Sequence, residues 1–171
     1  MEIGKKVAIF GKPGGGKSTL AKQLSQKVEL ALYPLDLIEY LPNGERISKE
    51  DYLRTHDELL AMDNWIIEGL GTLGSFWKRI DAADTLVYID LPYRVHYWWV
   101  TKRFIISLFK KPEGWPEGSS VLKGTIAGWK YLKLSKNFWT SELFNQISER
   151  AEGKKIIRIQ SVKQLNEFSR G

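Results

Sequence analysis

The chain has 171 residues, 43% of them apolar, and this length suits one domain with a sizeable buried core. It has no cysteine, which excludes disulfides, cysteine zinc sites and a thiol nucleophile. The 26 basic and 20 acidic residues give a formal charge of +6, and no apolar run is long enough to cross a bilayer, so we expect a cytoplasmic protein.

Five short apolar runs predict five β-strands. The runs span residues 7–10, 30–35, 65–67, 85–89 and 155–159. Helical patterns separate them, and the predicted helices span approximately residues 19–30, 48–62, 93–109, 119–150 and 161–168. Strands that alternate with helices predict a parallel sheet covered on both faces, and therefore a three-layer α/β fold. We expect residues 1–171 to form a single domain.

A glycine-rich loop follows the first predicted strand and precedes the first helix. Residues 11–18 read GKPGGGKS, which fits the phosphate-binding pattern G-x-x-x-x-G-K-[ST] at every position. In such a P-loop the backbone N–H groups surround phosphate oxygens, Lys17 reaches the β- and γ-phosphates, and the Ser18 hydroxyl takes a place on Mg²⁺. The loop therefore predicts a nucleotide site made of Gly11, Pro13, Gly14, Gly15, Gly16, Lys17, Ser18 and Thr19.

Acidic residues stand at the ends of three other predicted strands, where ligands gather in an open parallel sheet: Asp36, Glu68 and Asp90. At Asp36 an ionised carboxylate can orient an acceptor hydroxyl and take its proton, whereas an acceptor phosphate needs no base. A helix or turn cap is the alternative role for Asp36, and it is the role that we expect for Asp90. We interpret the two histidines, His56 and His96, as helix-surface or core residues.

The net positive charge is concentrated in one segment. Residues 94–136 contain nine basic and two acidic residues, against 17 and 18 in the rest of the chain. The segment also holds four of the seven tryptophans, with Trp139 just beyond it. This composition suits a polyanionic partner, such as a triphosphate, a nucleic acid or an anionic surface. An amphipathic helical pair with inward aromatics explains it equally well.

Two longer runs accompany the glycine loop and Asp36: WIIEG at residues 65–69 and RIDAADTLVYIDLP at residues 79–92. With them the sequence resembles, along essentially its whole length, the adenylate-kinase-related P-loop proteins known as DNA topology modulation proteins. The resemblance implies a fold like that of nucleoside monophosphate kinases, with a central five-stranded parallel sheet and a helical lid. It also implies ATP and Mg²⁺ as cofactors and phosphotransfer to an undefined acceptor.

The resemblance implies roles for further residues by their positions. Glu68 stands where related kinases place an Asp that holds Mg²⁺ through water, so Ser18 and Glu68 are the expected metal ligands. Arg103 stands where adenylate kinases carry an arginine that reaches the transferred phosphate, and Trp99 where they stack an arginine on adenine. The acceptor segment is expected at about 36–64 and the lid at about 104–136, including Lys110–Ser120. The expected acceptor contacts are Asp36, Arg54, Glu68 and Gly69.

Three functional hypotheses follow. The first is a Mg-ATP-dependent kinase of a small molecule or nucleotide, with Lys17, Asp36 and Arg103 as its catalytic residues. The second is a nucleotide-regulated nucleic-acid-binding protein, although the sequence contains no recognisable DNA-reading motif. The third is an ATP-binding protein without transfer activity. The sequence names neither the acceptor nor the oligomeric state.

Overall fold

The computed structural model describes residues 3–41, 45–107 and 121–170. Five strands form a wholly parallel sheet in the order β2-β3-β1-β4-β5, which confirms the predicted α/β fold. The elements within these ranges are β1 (Lys6–Gly11), α1 (Lys17–Val28), β2 (Leu32–Pro34), α2 (Leu35–Glu39), α3 (Lys49–Ala61), β3 (Trp65–Glu68), α4 (Leu73–Ala82), β4 (Thr85–Ile89), α5 (Tyr93–Ser107), α6 (Val121–Ser135), α7 (Ser141–Arg150), β5 (Lys155–Ile159) and α8 (Val162–Arg170).

The central strand β1 explains why helices cover both faces of the sheet. Alternate residues of a strand point to opposite faces, and Val7 and Ile9 pack in one apolar cluster with residues of α1 and α8. Ala8 and Phe10 pack in a second cluster with residues of α3, α4 and α7. All four side chains are fully buried. A strand buried on both faces requires two helical layers, which gives the three-layer architecture.

The second predicted strand is shorter in the structure than the sequence indicated. β2 contains only Leu32–Pro34, and α2 begins at Leu35, which is fully buried. Pro34 has no N–H and cannot donate to a continuing strand ladder, so the chain changes direction there. Asp36 therefore lies in the first turn of α2, two residues beyond the strand.

The long helix predicted over residues 119–150 is two helices in the structure. α6 ends at Ser135, and the side chain of Thr140 starts α7 by accepting a hydrogen bond from the Leu143 N–H at 3.2 Å. Between the helices, Trp139 turns inward and stacks on Tyr88 with ring centres 5.5 Å apart. A continuous helix would forfeit this cap and this aromatic contact.

The start of α3 follows the sequence prediction. The Ser48 side chain caps the helix by accepting a hydrogen bond from the Asp51 N–H at 3.0 Å. The longest helices in the described ranges, α5 and α6, have 15 residues each. None of the helices described combines the length and the apolarity that crossing a membrane requires.

The sheet order brings the ends of three strands to one place. β3 and β4 flank β1, with Ile9 in register with Glu68 and Gly11 with Ile89. The glycine loop therefore leaves β1 between Glu68 on one side and Asp90 on the other. The neighbouring pair Pro34 and Glu68 also brings the start of α2 to this edge.

Candidate active site

The loop between β1 and α1 has a backbone that requires glycine at two positions. Gly14 and Gly16 have φ angles of 69° and 77°, in the left-handed region that side chains disfavour. Gly16 is also the N-cap of α1, and no side chain in the described ranges caps the helix there. The first N–H groups of α1 and the positive end of its dipole are thus available to an anion, as in a phosphate-binding loop.

Lys17 lies at the centre of the predicted site. Its Nζ donates a hydrogen bond to the Lys12 carbonyl oxygen at 3.1 Å, so the side chain folds back over the loop. Burial lowers the pKa of Lys17, the nearby carboxylates of Glu68 and Asp36 oppose this shift, and Arg103 adds to it. The structure thus brings three sequence-predicted residues from α2, β3 and α5 (Asp36, Glu68 and Arg103) into electrostatic interaction with Lys17 of α1.

Ser18 and Glu68 form the pair expected to hold a metal ion. The Ser18 hydroxyl donates a hydrogen bond to Glu68 Oε2 at 3.1 Å, and Glu68 is only 6% exposed. Burial raises the pKa of Glu68, while Lys17 and the Ser18 hydroxyl oppose the rise. Mg²⁺ prefers hard oxygen ligands and usually combines one or two protein groups with phosphate and water. One hydroxyl and one carboxylate beside a phosphate loop fit that requirement.

No group of three or more acidic or histidine side chains that could enclose a metal ion occurs in the described ranges. Mg²⁺ held by one or two protein groups commonly completes its coordination with phosphate oxygens and water. The pair of Ser18 and Glu68 agrees with a cation that arrives together with a nucleotide.

A cavity of about 880 Å³ opens from the glycine loop toward α2 and α6. Loop residues Gly11 and Pro13–Thr19 form one end of it, and Asp36, Glu68, Gly69 and Arg103 line it as well. Most of the predicted catalytic and acceptor residues therefore share this cavity. Its remaining lining residues, none of them among the predicted site residues, are Glu39, Tyr40, Arg46, Leu70, Gly71, Tyr131, Leu134, Ser135, Phe138 and Trp139.

The two arginines of the expected acceptor segment, Arg46 and Arg54, lie differently with respect to the larger cavity. Arg54 is exposed and is not among the described residues that line the cavity. It forms an ion pair with Asp51 on its own helix at 2.7 Å. Arg46 instead lines the cavity, forms an ion pair with Glu39, and lies over the ring of Tyr40 at 5.6 Å. A backbone bridge between Tyr40 and Arg46 brings these residues together.

A second cavity of about 490 Å³ lies on the other side of the loop, between α1, α5 and α8. Trp99 lines it, and a Cβ atom placed on Gly16 would lie 3.1 Å from the indole ring. Thr19 and Arg103 are shared with the larger cavity. The remaining walls include three polar side chains from α1 and α8: Gln23, Asn166 and Ser169. A flat indole beside a phosphate loop, with polar groups opposite, suits a nucleobase.

Asp90 is the centre of an ion-pair network rather than a helix cap. Lys12 forms an ion pair with one oxygen of Asp90, and Arg158 donates to the other from Nη2 at 2.6 Å and from Nε at 2.9 Å. Burial favours the neutral acid, but these hydrogen bonds hold the pKa of Asp90 below its usual range. Lys12 is 5% exposed, so this buried network joins the glycine loop to Asp90, the residue after β4, and to Arg158 of β5.

His96 connects helix α5 to the glycine loop, a contact that the sequence did not indicate. The ring is fully buried, with Nδ1 2.8 Å from the Pro13 carbonyl oxygen and Nε2 3.2 Å from the Leu91 carbonyl oxygen. Burial lowers the pKa of His96 to about 4, so the ring is neutral and carries one N–H. We assign that proton to Nδ1, which donates to Pro13 over the shorter distance.

Arg79 supports the loop after β3 from beneath. This fully buried guanidinium donates from Nη2 to the Gly69 carbonyl oxygen at 2.8 Å and to the Leu70 carbonyl oxygen at 3.1 Å. Burial lowers the pKa of Arg79 to about 10, a value that leaves it charged at neutral pH. Gly69 and Leu70 both line the larger cavity, so Arg79 positions the cavity wall without reaching the cavity itself.

The basic segment lies partly within the described ranges. Its exposed lysines on α5, on α6 and just after α6 are Lys102, Lys130, Lys133 and Lys136. Lys102 and Arg103 line the smaller cavity. The expected lid segment Lys110–Ser120 lies outside the described residues.

Comparison with known proteins identifies the fold. No family model and no curated protein matches the sequence. Among solved structures, shikimate kinase from Bacteroides thetaiotaomicron is similar with a TM-score of 0.56 and 16% identity, over 96% of this chain and 93% of that one.

A gluconokinase from Sinorhizobium meliloti 1021 is similar with a TM-score of 0.54 and 13% identity, over 99% of this chain and 90% of that one. Shikimate kinase from Acinetobacter baumannii in complex with shikimate is similar with a TM-score of 0.55 and 15% identity, over 97% of this chain and 89% of that one. The chain therefore has the nucleoside-monophosphate-kinase-like fold of P-loop kinases.

Proposed function

We propose that this protein is a Mg-ATP-dependent phosphotransferase that acts on a small molecule. The observation that carries the proposal is the convergence of Lys17, Asp36, Glu68 and Arg103 on one cavity at the mouth of a phosphate-binding loop. A loop alone would account for nucleotide binding. An acid and an arginine that line the same cavity, Asp36 and Arg103, supply what phosphoryl transfer needs in addition.

Transfer joins an acceptor oxygen to the γ-phosphorus and breaks the bond from that phosphorus to the β–γ bridging oxygen, so that ADP leaves. Lys17 binds the β- and γ-phosphates, and Arg103 offsets negative charge on the transferring group. Asp36 orients an acceptor hydroxyl and takes its proton. Mg²⁺, when bound at Ser18 and Glu68, neutralises charge on the phosphate oxygens.

The smaller cavity would hold the nucleobase, with Trp99 as its flat wall. The sequence resemblance to DNA topology modulation proteins agrees with this assignment of an adenylate-kinase-like nucleotide site. The fold of the similar structures, which are kinases by name, supports the same reaction class.

Calorimetry and turnover test the proposal together. Lys17→Ala removes the loop amine and should abolish the heat of ATP binding in the presence of Mg²⁺, whereas Lys22→Ala, an exposed lysine on the same helix, serves as the matched control. Arg103→Ala should lower acceptor-dependent ADP release by about 10³-fold with far less effect on ATP affinity. Arg94→Ala, an exposed arginine on the same helix, is its control.

Two results would refute the proposal. The first is an absence of heat from ATP, GTP and their non-hydrolysable analogues with the unmodified protein. The second is an equal loss of ATP affinity and turnover in Arg103→Ala, which would remove the transition-state role assigned to that arginine.

A nucleic-acid-binding function is a second candidate, favoured by the exposed lysines on and after α6: Lys130, Lys133 and Lys136. DNA binding through several lysines weakens steeply as salt rises. Titration of a fluorescent duplex at low and moderate ionic strength measures this dependence. Absence of binding at low salt would remove the candidate without touching the phosphotransferase proposal.

A further inference from the structure

The larger cavity has its charges arranged in two groups. Six charged side chains in the described ranges line it, three basic and three acidic: Lys17, Arg46, Arg103, Asp36, Glu39 and Glu68. Lys17 interacts electrostatically with Glu68, Asp36 and Arg103. Lys17, Arg103 and Glu68 thus serve the phosphates and their cation. The charges left for an acceptor are Asp36 and the pair formed by Glu39 and Arg46.

Arg46 is already engaged by groups of the protein. It forms an ion pair with Glu39, whose side chain is only 15% exposed, and its guanidinium lies over the ring of Tyr40. The side chain of Arg46 is 65% exposed, and its contact with Glu39 leaves other guanidinium N–H groups that Glu39 does not use. Glu39 nevertheless offsets the positive charge, so an anionic ligand bound to Arg46 would also face the carboxylates of Glu39 and Asp36. Among the described lining residues at this end, two carboxylates therefore face one arginine, which favours an uncharged ligand over a carboxylate or phosphate.

Aromatic and apolar side chains cover the same end of the cavity. Tyr40, Tyr131 and Leu134 line it with 44%, 69% and 59% of their surface exposed. Tyr40 comes from the end of α2 and the other two from α6, and Arg46 interacts electrostatically with both tyrosines. Two exposed rings from separate elements that meet across a cavity offer stacking surfaces to a flat ligand.

We propose that the acceptor is an uncharged alcohol bearing a flat ring, with nucleosides as the class that fits. Its hydroxyl lies at Asp36 and its ring lies against Tyr40 and Tyr131. This assignment rests on the phosphotransferase proposed above and names the acceptor of that same site. The net negative charge of Asp36, Glu39 and Arg46 together disfavours anionic acceptors, and the carboxylate of Asp36 can accept a hydroxyl proton.

Matched ligand pairs test the charge of the acceptor. Adenosine and cytidine are each compared with their 5′-monophosphates, and shikimate serves as an anion without a nucleobase. Acceptor-dependent ADP release is measured with saturating Mg-ATP, and acceptor binding is measured by calorimetry with a non-hydrolysable ATP analogue. We expect kcat/KM for at least one nucleoside to exceed that for its monophosphate by about tenfold or more.

Glu39→Gln tests the role of the ion pair. Removing this carboxylate frees Arg46 to bind an anion. The ratio of kcat/KM for a nucleoside to kcat/KM for its monophosphate should therefore fall by about tenfold. Asp63→Asn removes an exposed carboxylate outside the described cavity lining and is the matched control, because it should leave the preference intact.

Tyr131→Ala tests the stacking surface, and the exposure of Tyr131 makes a folding defect a poor explanation for its effect. We expect the KM for the nucleoside to rise by about tenfold. Tyr131→Phe, which keeps the ring, should raise it far less.

Two results would overturn this assignment: monophosphates or shikimate as the better acceptors, or neither binding nor phosphorylation of either nucleoside. Both leave the phosphotransferase proposal standing as long as ATP binds and Lys17→Ala abolishes that binding. A loss of ATP binding in the unmodified protein would instead refute the phosphotransferase proposal itself.

Discussion

Lowering the pH from 7 to 4 probes the only two histidines of the chain, His56 and His96. Both are fully buried. Burial lowers the pKa of each from 6.5 to about 4, with a smaller contribution from Arg79 at His56; at His96 the hydrogen bond with Pro13 opposes the shift. The two ring nitrogens of His56 have no partner within hydrogen-bond distance in the described structure, and the carboxylate of Asp57, 3.8 Å from Nδ1, only partly opposes the effect of burial on the pKa.

The sign of the effect follows from which state binds protons first. Between pH 6.5 and 4 the histidines of the unfolded chain are protonated while those of the folded chain remain neutral, so acid favours unfolding. The stabilisation is complete above pH 6.5 and is lost as the pH falls toward 4. A pKa lowered to this extent corresponds to about 3 kcal/mol per histidine. Two such losses are comparable with the whole stability of a typical domain, about 5–15 kcal/mol.

Urea unfolding followed by tryptophan fluorescence at pH 7, 6, 5 and 4.5 measures this loss, and NMR titration of the two imidazole signals measures the pKa values directly. His56→Leu should reduce the dependence of unfolding free energy on pH by about half between pH 6.5 and 4. An imidazole that titrates near 6.5 in the folded protein, or a pH dependence unchanged by His56→Leu, would refute this account of burial.

Three further predictions concern the ion-pair network, the base wall and a helix cap. Asp90→Asn leaves the buried Lys12 without its carboxylate, so urea unfolding should show a loss of about 3 kcal/mol or more, against almost none for the exposed Asp63→Asn. Trp99→Ala should weaken ATP binding about tenfold by calorimetry, and Trp99→Phe should retain most of the affinity; equal losses would contradict stacking. Thr140→Ala should lower stability by about 1 kcal/mol through the lost cap of α7, and Thr140→Ser should restore it.

The sequence predicted correctly what depends on local pattern. Alternation of apolar runs with helical periods was enough to predict the parallel sheet covered on both faces, because each run must bury its own side chains wherever it lies. The position of the glycine loop could also be identified from the sequence, because the backbone angles at Gly14 and Gly16 depend on a few consecutive residues. Asp36 and Glu68 follow or end two predicted strands, so the sequence also placed them together at the carboxyl edge of the sheet.

Other features were decided by tertiary structure, because they join residues far apart in the chain. His96 contacts Pro13 across 83 positions, and Arg158 reaches Asp90 across 68. Neither contact can be predicted from a local sequence pattern, because both depend on the order of the strands in the sheet.

The different placement of Arg46 and Arg54 relative to the larger cavity shows the same dependence on context. Both arginines belong to the predicted acceptor segment, but Arg46 is held at the cavity by its bridge to Tyr40 and its ion pair with Glu39, while Arg54 points along α3 to Asp51. Sequence therefore determined which residue types stand at the strand ends. Packing determined which side chains reach the cavity, because the direction of a side chain is fixed only when its neighbours from other elements are in place.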